Sequence, residues 1–143
     1  FLLDTHEVNA ENVFLEITEY MFLNDSDAVH ETFNAIKALG VQISLDDFGT
    51  GYSSLSYLKS FPIDTLKIDK AFLDDYNTEE GSVFIETIIN MAQTLKLSVV
   101  AEGVETSTQV DYLRALNCKY YQGYVCSPPV EINAFESLLR LQS

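Results

Sequence analysis

Five short apolar segments close, one after another, on a polar or ionisable residue, and helical segments lie between them. The apolar segments are Val13–Thr18, 41–46, Thr65–Ile68, Ser98–Glu102 and Lys119–Gln122. Their polar residues, at or near the C-terminal end, are Glu16, Asp46 with Asp47, Lys67, Glu102 and Gln122. Helices are expected at Asp27–Leu39, Leu55–Lys59, Ser82–Lys96, Thr106–Leu116 and Ile132–Leu141, with loops at 47–53 and Asp74–Gly81. The first carries Ala28, Val29, Phe33, Ile36 and Leu39 near helical spacing and stops at Gly40. The helix at Ser82 has a wide apolar face of Phe84, Ile85, Ile88, Ile89, Met91, Ala92 and Leu95. Pro62 and Pro128-Pro129 punctuate the pattern.

Alternating strands and helices imply parallel β-α units. Core strands rarely tolerate charge, so polar groups at five successive strand ends point to a function gathered along one rim. A doubly wound sheet concentrates function at one switch point, whereas a (β/α) barrel collects all its strand ends at one mouth. The expected fold is therefore α/β, a TIM-like (β/α) barrel, of which this chain holds about five β-α units.

The most pointed of these strand ends is Asp46-Asp47, followed by Phe48-Gly49-Thr50-Gly51. Adjacent carboxylates at the end of a buried strand repel each other and lose hydration, so a cation or a proton must compensate them. Glu16, Asp46 and Asp47 are hard oxygen donors suited to Mg2+ or Mn2+ rather than zinc. Two ions sharing Asp46 would clamp a water for attack on a phosphodiester. Lys67 is placed to hold that water or offset charge on phosphate, and Glu102 to ligate through water or accept a proton. Taken singly, each has a plainer reading: Glu16 as a strand-end ion-pair partner, Lys67 as a snorkelling lysine, and Glu102 and Glu105 as residues flanking the turn at Gly103. The five together carry the functional reading. His6 and His30 lie away from the strand ends and are given no role. Asp-Phe-Gly also occurs in protein kinases, but this sequence has no glycine-rich nucleotide loop and no other kinase signature.

Composition narrows the classes further. The chain has 143 residues, 47% of them hydrophobic, enough for a domain with a real core. Its 22 acidic and 8 basic residues give a net charge of -14, which repels nucleic-acid polymers and anionic membranes. No apolar run approaches ~20 residues, so no membrane contact is expected of this segment. No secretory leader is recognisable at Phe1-Leu2-Leu3-Asp4. Cys118 and Cys126 lack metal-site spacing and read as packing or idle thiols, which fits a cytoplasmic location. Asn24-Asp25-Ser26 matches a glycosylation acceptor but reads better as a helix cap.

Several blocks resemble the EAL-domain family of cyclic di-GMP phosphodiesterases. They are Leu15-Glu16-Ile17-Thr18-Glu19, the run Leu45 to Leu55 containing Asp46-Asp47-Phe48-Gly49-Thr50-Gly51, Leu66-Lys67-Ile68-Asp69-Lys70, Val100 to Thr106 and Gln122-Gly123-Tyr124. They occur in family order from about Val13 onward. The resemblance implies a barrel that opens cyclic di-GMP to linear pGpG with two Mg2+ or Mn2+ ions. It implies Glu16 and Asp46 at one metal, Asp46 and Asp47 at the second, and Lys67 on the hydrolytic water. Glu102 would act as base or water-mediated ligand. Gln122, Glu105 and Asp47 would serve substrate binding. Glu19 would steady the loop containing Gly49, Thr50 and Gly51, and that loop with its following helix would couple the site to a homodimer partner.

The family's signature Glu-Ala-Leu segment and a later asparagine ligand fall outside this sequence. Residues 1–143 are therefore expected to be the C-terminal portion of an EAL domain, inactive in isolation, in a parent whose other segments would carry any inner-membrane tether. Ser127-Pro128-Pro129 has proline where relatives often carry a basic residue, and Ala71 stands where they often have serine. The rival expectations are a non-catalytic nucleotide receptor or interaction module, and a different metal-dependent barrel enzyme.

Overall fold

The computed structural model describes residues 2–23, 26–49 and 55–142. Its centre is a five-stranded sheet of β1 (Phe14–Thr18), β2 (Gln42–Phe48), β3 (Thr65–Ile68), β4 (Ser98–Ala101) and β5 (Tyr120–Tyr121). The strands lie side by side in chain order and every pair is parallel. A doubly wound sheet reverses its strand order at the switch point; this one runs straight through, like an arc of a barrel.

Helices α1 (Leu2–Thr5), α2 (Asp27–Ala38), α3 (Leu55–Ser60), α4 (Lys70–Asp74), α5 (Glu79–Thr94), α6 (Ser107–Ala115) and α7 (Ile132–Gln142) complete the described chain, with 3-10 turns at Ala10–Asn12 and Glu19–Leu23. Alternate strand residues Ile43, Leu45, Leu66, Ile68, Val99 and Ala101 form one core with Phe33 of α2, Leu73 of α4, Ile85, Ile88, Ile89 and Ala92 of α5, and Val110 and Leu113 of α6. The other sheet face carries Glu16, Ser44, Thr65, Lys67 and Gln122 around a cavity of about 580 Å³. The period of two thus separates a helix-covered apolar face from a polar one.

β2 breaks that period once. Leu45 pairs with Leu66 and Phe48 with Ile68, so three steps along β2 match two along β3. This is a β-bulge: Asp46 and Asp47 together face Lys67. Asp47 has a left-handed backbone, φ 55°, a conformation aspartate tolerates better than most residues. Both Leu45 and Phe48 consequently reach the core, and neither aspartate does.

Several boundaries differ from the sequence reading. β2 runs through Phe48, so Asp47 lies in a strand rather than in a loop starting there. β5 is only two residues long. The loop expected at Asp74–Gly81 is shorter, because α5 begins at Glu79, where Thr78 caps it by accepting from the Gly81 amide at 3.0 Å. Helix α4 was not foreseen; Asp69 caps it through the Ala71 amide at 2.8 Å. Ser26 occupies the N-cap of α2 in extended backbone but makes no side-chain cap bond, and Asn24 and Asp25 lie outside the described residues. Cys118 is buried and Cys126 exposed, both as free thiols. Among the described residues no helix is long and apolar enough to cross a membrane.

Candidate active site

Lys67 stands on β3 with Leu66 and Ile68 anchored in the helix-side core, so its own side chain must emerge on the polar face. Only 7% of it is exposed. Its ammonium lies 2.7 Å from Glu102 Oε1, 2.9 Å from Glu16 Oε1 and 3.2 Å from Asp46 Oδ1. Residues from β1, β2 and the end of β4 thus meet one cation from β3. Burial alone would push the lysine pKa down; hydrogen bonds to the three carboxylates outweigh it and drive it up. Lys67 is a fixed positive charge and a donor, not a base.

The carboxylates differ in setting. The Glu16 side chain is 54% exposed, Asp46 23% and Glu102 16%. Burial raises the Glu102 pKa, with Asp46 and Glu16 adding to the rise and Lys67 opposing it. Gln122 Nε2 donates a short hydrogen bond to Glu102 Oε1 and orients that carboxylate. Asp47 is also raised, by burial first, then by the charges of Asp46 and Asp69. Its backbone amide donates to Asp46 Oδ1 at 3.1 Å. Glu19, buried just past β1, accepts from the Gly49 amide at 2.9 Å and so holds the start of the loop after β2. Thr50 and Gly51 lie outside the described residues.

The loops after β3, β4 and β5 interlock. The Val104 amide donates to Gln122 O at 3.0 Å, and the Val125 amide to Val104 O at 3.0 Å. Gly123, at φ 154°, lies against the Val104 backbone so closely that a Cβ would overlap it. Gly103, at φ 63°, leaves a gap crossed by the Lys70 stem, 2.5 Å from where a Cβ would be. The Lys70 ammonium then reaches Asp74 at 2.8 Å and Glu105 at 3.3 Å. Glu105 is accordingly not in the Lys67 cluster. It stands with Gln122 on a second cavity of about 780 Å³, walled by Tyr124, Phe135 and Leu138.

The structure therefore brings together Glu16, Asp46, Lys67, Glu102 and Gln122, sets Asp47 beside them through the bulge, and places Glu19 and Glu105 on neighbouring loops. His30 packs flat on Phe61, ring centroids 4.3 Å apart, as part of the α2 packing. Sequence reasoning gave no role to Asp69, Lys70 or Gln109. Asp69 was the most accessible of these, being a further carboxylate directly past the end of β3.

Residues 1–129 match the family model described as EAL domain. The chain belongs to the EAL domain family. This EAL chain is 45% identical to the cyclic di-GMP phosphodiesterase NbdA of Pseudomonas aeruginosa over 127 residues, covering 88% of this chain and 16% of that protein. Among solved structures it resembles the PaMucR phosphodiesterase in complex with c-di-GMP, with TM-score 0.85, 38% identity, and coverage of 93% of this chain and 54% of that one. It also resembles the manganese/cy-diGMP complex of Klebsiella pneumoniae BlrP1, with TM-score 0.81, 29% identity, and coverage of 89% and 33%. The chain thus spans about a sixth of that curated relative's length and a third to a half of those solved chains.

Among the described residues of this EAL chain, no three His, Cys, Asp or Glu side chains converge as a ready metal cage. The Lys67 ammonium sits at the point where Glu16, Asp46 and Glu102 meet. The donor set nevertheless fits a hard divalent cation: oxygen ligands only, four negative charges counting Asp47, and one lysine among them. Burial first, and then the neighbouring carboxylates, raise the pKa values of Asp47 and Glu102, and a cation would oppose both effects.

Proposed function

We propose that this chain supplies five β-α units of a cyclic di-GMP phosphodiesterase that opens one phosphodiester to give linear pGpG. The observation carrying the reading is the buried Lys67 ammonium held by carboxylates from three neighbouring segments at the strand ends. Glu16 and Asp46 would hold one Mg2+ or Mn2+ ion and Asp46 with Asp47 a second, Glu102 joining directly or through water. Such ions, when bound, supply Lewis-acid activation of water and neutralise charge on phosphate.

The protein's own groups have distinct tasks. Lys67 donates to the attacking water and to charge developing on phosphate; its upward-shifted pKa keeps it protonated throughout. Glu102 accepts the water's proton, which its raised pKa favours. A new P–O bond to that oxygen forms as the P–O3′ bond breaks, and the departing O3′ takes up a proton from solvent, leaving a 5′-phosphate and a 3′-hydroxyl on the product. Gln122 keeps Glu102 aimed, and Glu105 faces the adjoining cavity where a base of the dinucleotide would lie. Glu19 fixes Gly49, and the segment beyond it would transmit occupancy to a second copy in a homodimer.

The test is turnover of cyclic di-GMP with Mg2+ by the domain in its natural context, wild type against Asp46→Asn. Wild type should yield pGpG, and the variant should lose activity by about 100-fold or more. Binding without turnover by the wild type would replace this reading with that of a nucleotide receptor.

A further inference from the structure

Gln109 is a buried polar residue that the candidate chemistry leaves without a task. It lies in the first turn of α6, and with Thr106 it forms a capping box. Capping a helix does not account for all it does. Its Oε1 accepts from the Thr106 amide at 3.0 Å, from the Thr106 hydroxyl at 3.2 Å, and also from the Glu105 amide at 2.8 Å. The last bond reaches beyond the cap, into the loop that carries Glu102 and Glu105. In that loop the Glu102 amide is tied to Ile68 O at 2.9 Å and the Val104 amide to Gln122 O at 3.0 Å. Gln109 therefore fixes the far end of a segment whose near end holds Glu102. That segment also supports Gln122, which in turn orients Glu102.

We propose that Gln109 is a positioning residue for the candidate site, its side-chain oxygen setting the path of the Glu102–Thr106 turn and hence the aim of Glu102. The proposal rests on the metal-site reading above, and its test separates the two. Gln109→Met keeps the volume and removes the acceptor. Gln109→Glu keeps an acceptor oxygen in a position where glutamate commonly completes a capping box. Thr106→Ala removes the other half of the box, which accepts from the Gln109 amide at 3.3 Å, and leaves the bond to Glu105 in place. Mn2+ binding to each folded chain, read by electron paramagnetic resonance, should weaken about tenfold in Gln109→Met and by no more than about twofold in Gln109→Glu and Thr106→Ala. A helix cap alone would make Thr106→Ala and Gln109→Met equivalent, and that result overturns the proposal. So does a Gln109→Met chain that binds Mn2+ like wild type. If the wild-type chain takes up no Mn2+, the metal reading falls, and amide exchange decides the clamp. It stands only if Gln109→Met speeds exchange at Glu102 and Val104 while Thr106→Ala does not.

Discussion

Replacing Lys67 by methionine isolates what the lysine does for the carboxylates around it. Methionine keeps most of the apolar stem, so packing changes little and the charge is what is lost. The three contacts are unequal. Glu16 is half exposed, so its pair is worth about 0–1 kcal/mol, as at a surface. Asp46 and Glu102 are only 23% and 16% exposed. Removing one partner of a buried pair costs about 3–5 kcal/mol, because the remaining charge stays desolvated. The residual exposure of Asp46 and Glu102 places this case near the lower end, at about 3 kcal/mol. For a chain of this size that lowers the melting temperature by roughly 10 °C. Urea and thermal melts in chelator should show it. Adding Mn2+ should then narrow the gap between variant and wild type, because the carboxylates left uncompensated in the variant bind the ion more tightly; a cation at about 100 times its Kd contributes about 2.7 kcal/mol. A Lys67→Met chain as stable as wild type in chelator would refute the view that Lys67 compensates these carboxylates. Equal stabilisation of both proteins by Mn2+ would show that the ion does not share them.

Asp47→Asn should be more stable than wild type in chelator at neutral pH, while taking up less Mn2+. Burial and Asp46 raise the Asp47 carboxyl, so its contribution to stability is present below the ordinary carboxylate range and is lost as pH rises through the higher folded value. Thermal melts from acid to neutral pH should show the wild type losing stability relative to the variant, and asparagine also suits the left-handed backbone at φ 55°. Glu19→Ala should cost about 1.5–3 kcal/mol in a urea melt, since it deletes a buried charged acceptor of the Gly49 amide. Gly103→Ala should fold, at a cost of about 1–2 kcal/mol for its left-handed backbone and with the flexible Lys70 stem displaced from Glu105. Gly123→Ala should fail to accumulate as folded protein, because its Cβ meets the Val104 backbone, which cannot step aside; circular dichroism of the two variants ranks them.

The strand–helix order was legible because each long helix has a wide apolar face and each strand a short apolar run bounded by turns. The gathering of Glu16, Asp46, Lys67, Glu102 and Gln122 was legible for a related reason: parallel strands in sequential order put their C-terminal ends on one rim. The interlocking of the rim was not legible. Nothing in the local pattern marks Gln109 as a loop clamp rather than an ordinary helix residue, because the Glu105 amide reaches it only once α6 has folded. Glu105 was read as a supporting, substrate-binding residue; its pairing with Lys70 and its place beside Gln122 on a second cavity were not legible, because both depend on how the loops after β3, β4 and β5 meet. The early start of α5 was hidden because Gly81 looks like a loop residue until Thr78 caps it.

The doubled residue in β2 also limits how this chemistry can be moved. In a regular strand, neighbours point to opposite faces, so grafting an Asp-Asp dipeptide onto the end of an ordinary strand would bury one carboxylate beneath the helices. Deleting either aspartate here would remove the bulge as well as a carboxylate: the strand would become regular, Phe48 staying opposite Ile68 and in the core while a single carboxylate was left to face Lys67. A designed or inherited version of this pair must therefore carry the extra backbone residue with it. In an alignment, a one-residue gap opposite Asp46-Asp47 should weigh more heavily against a working site than a substitution at either position.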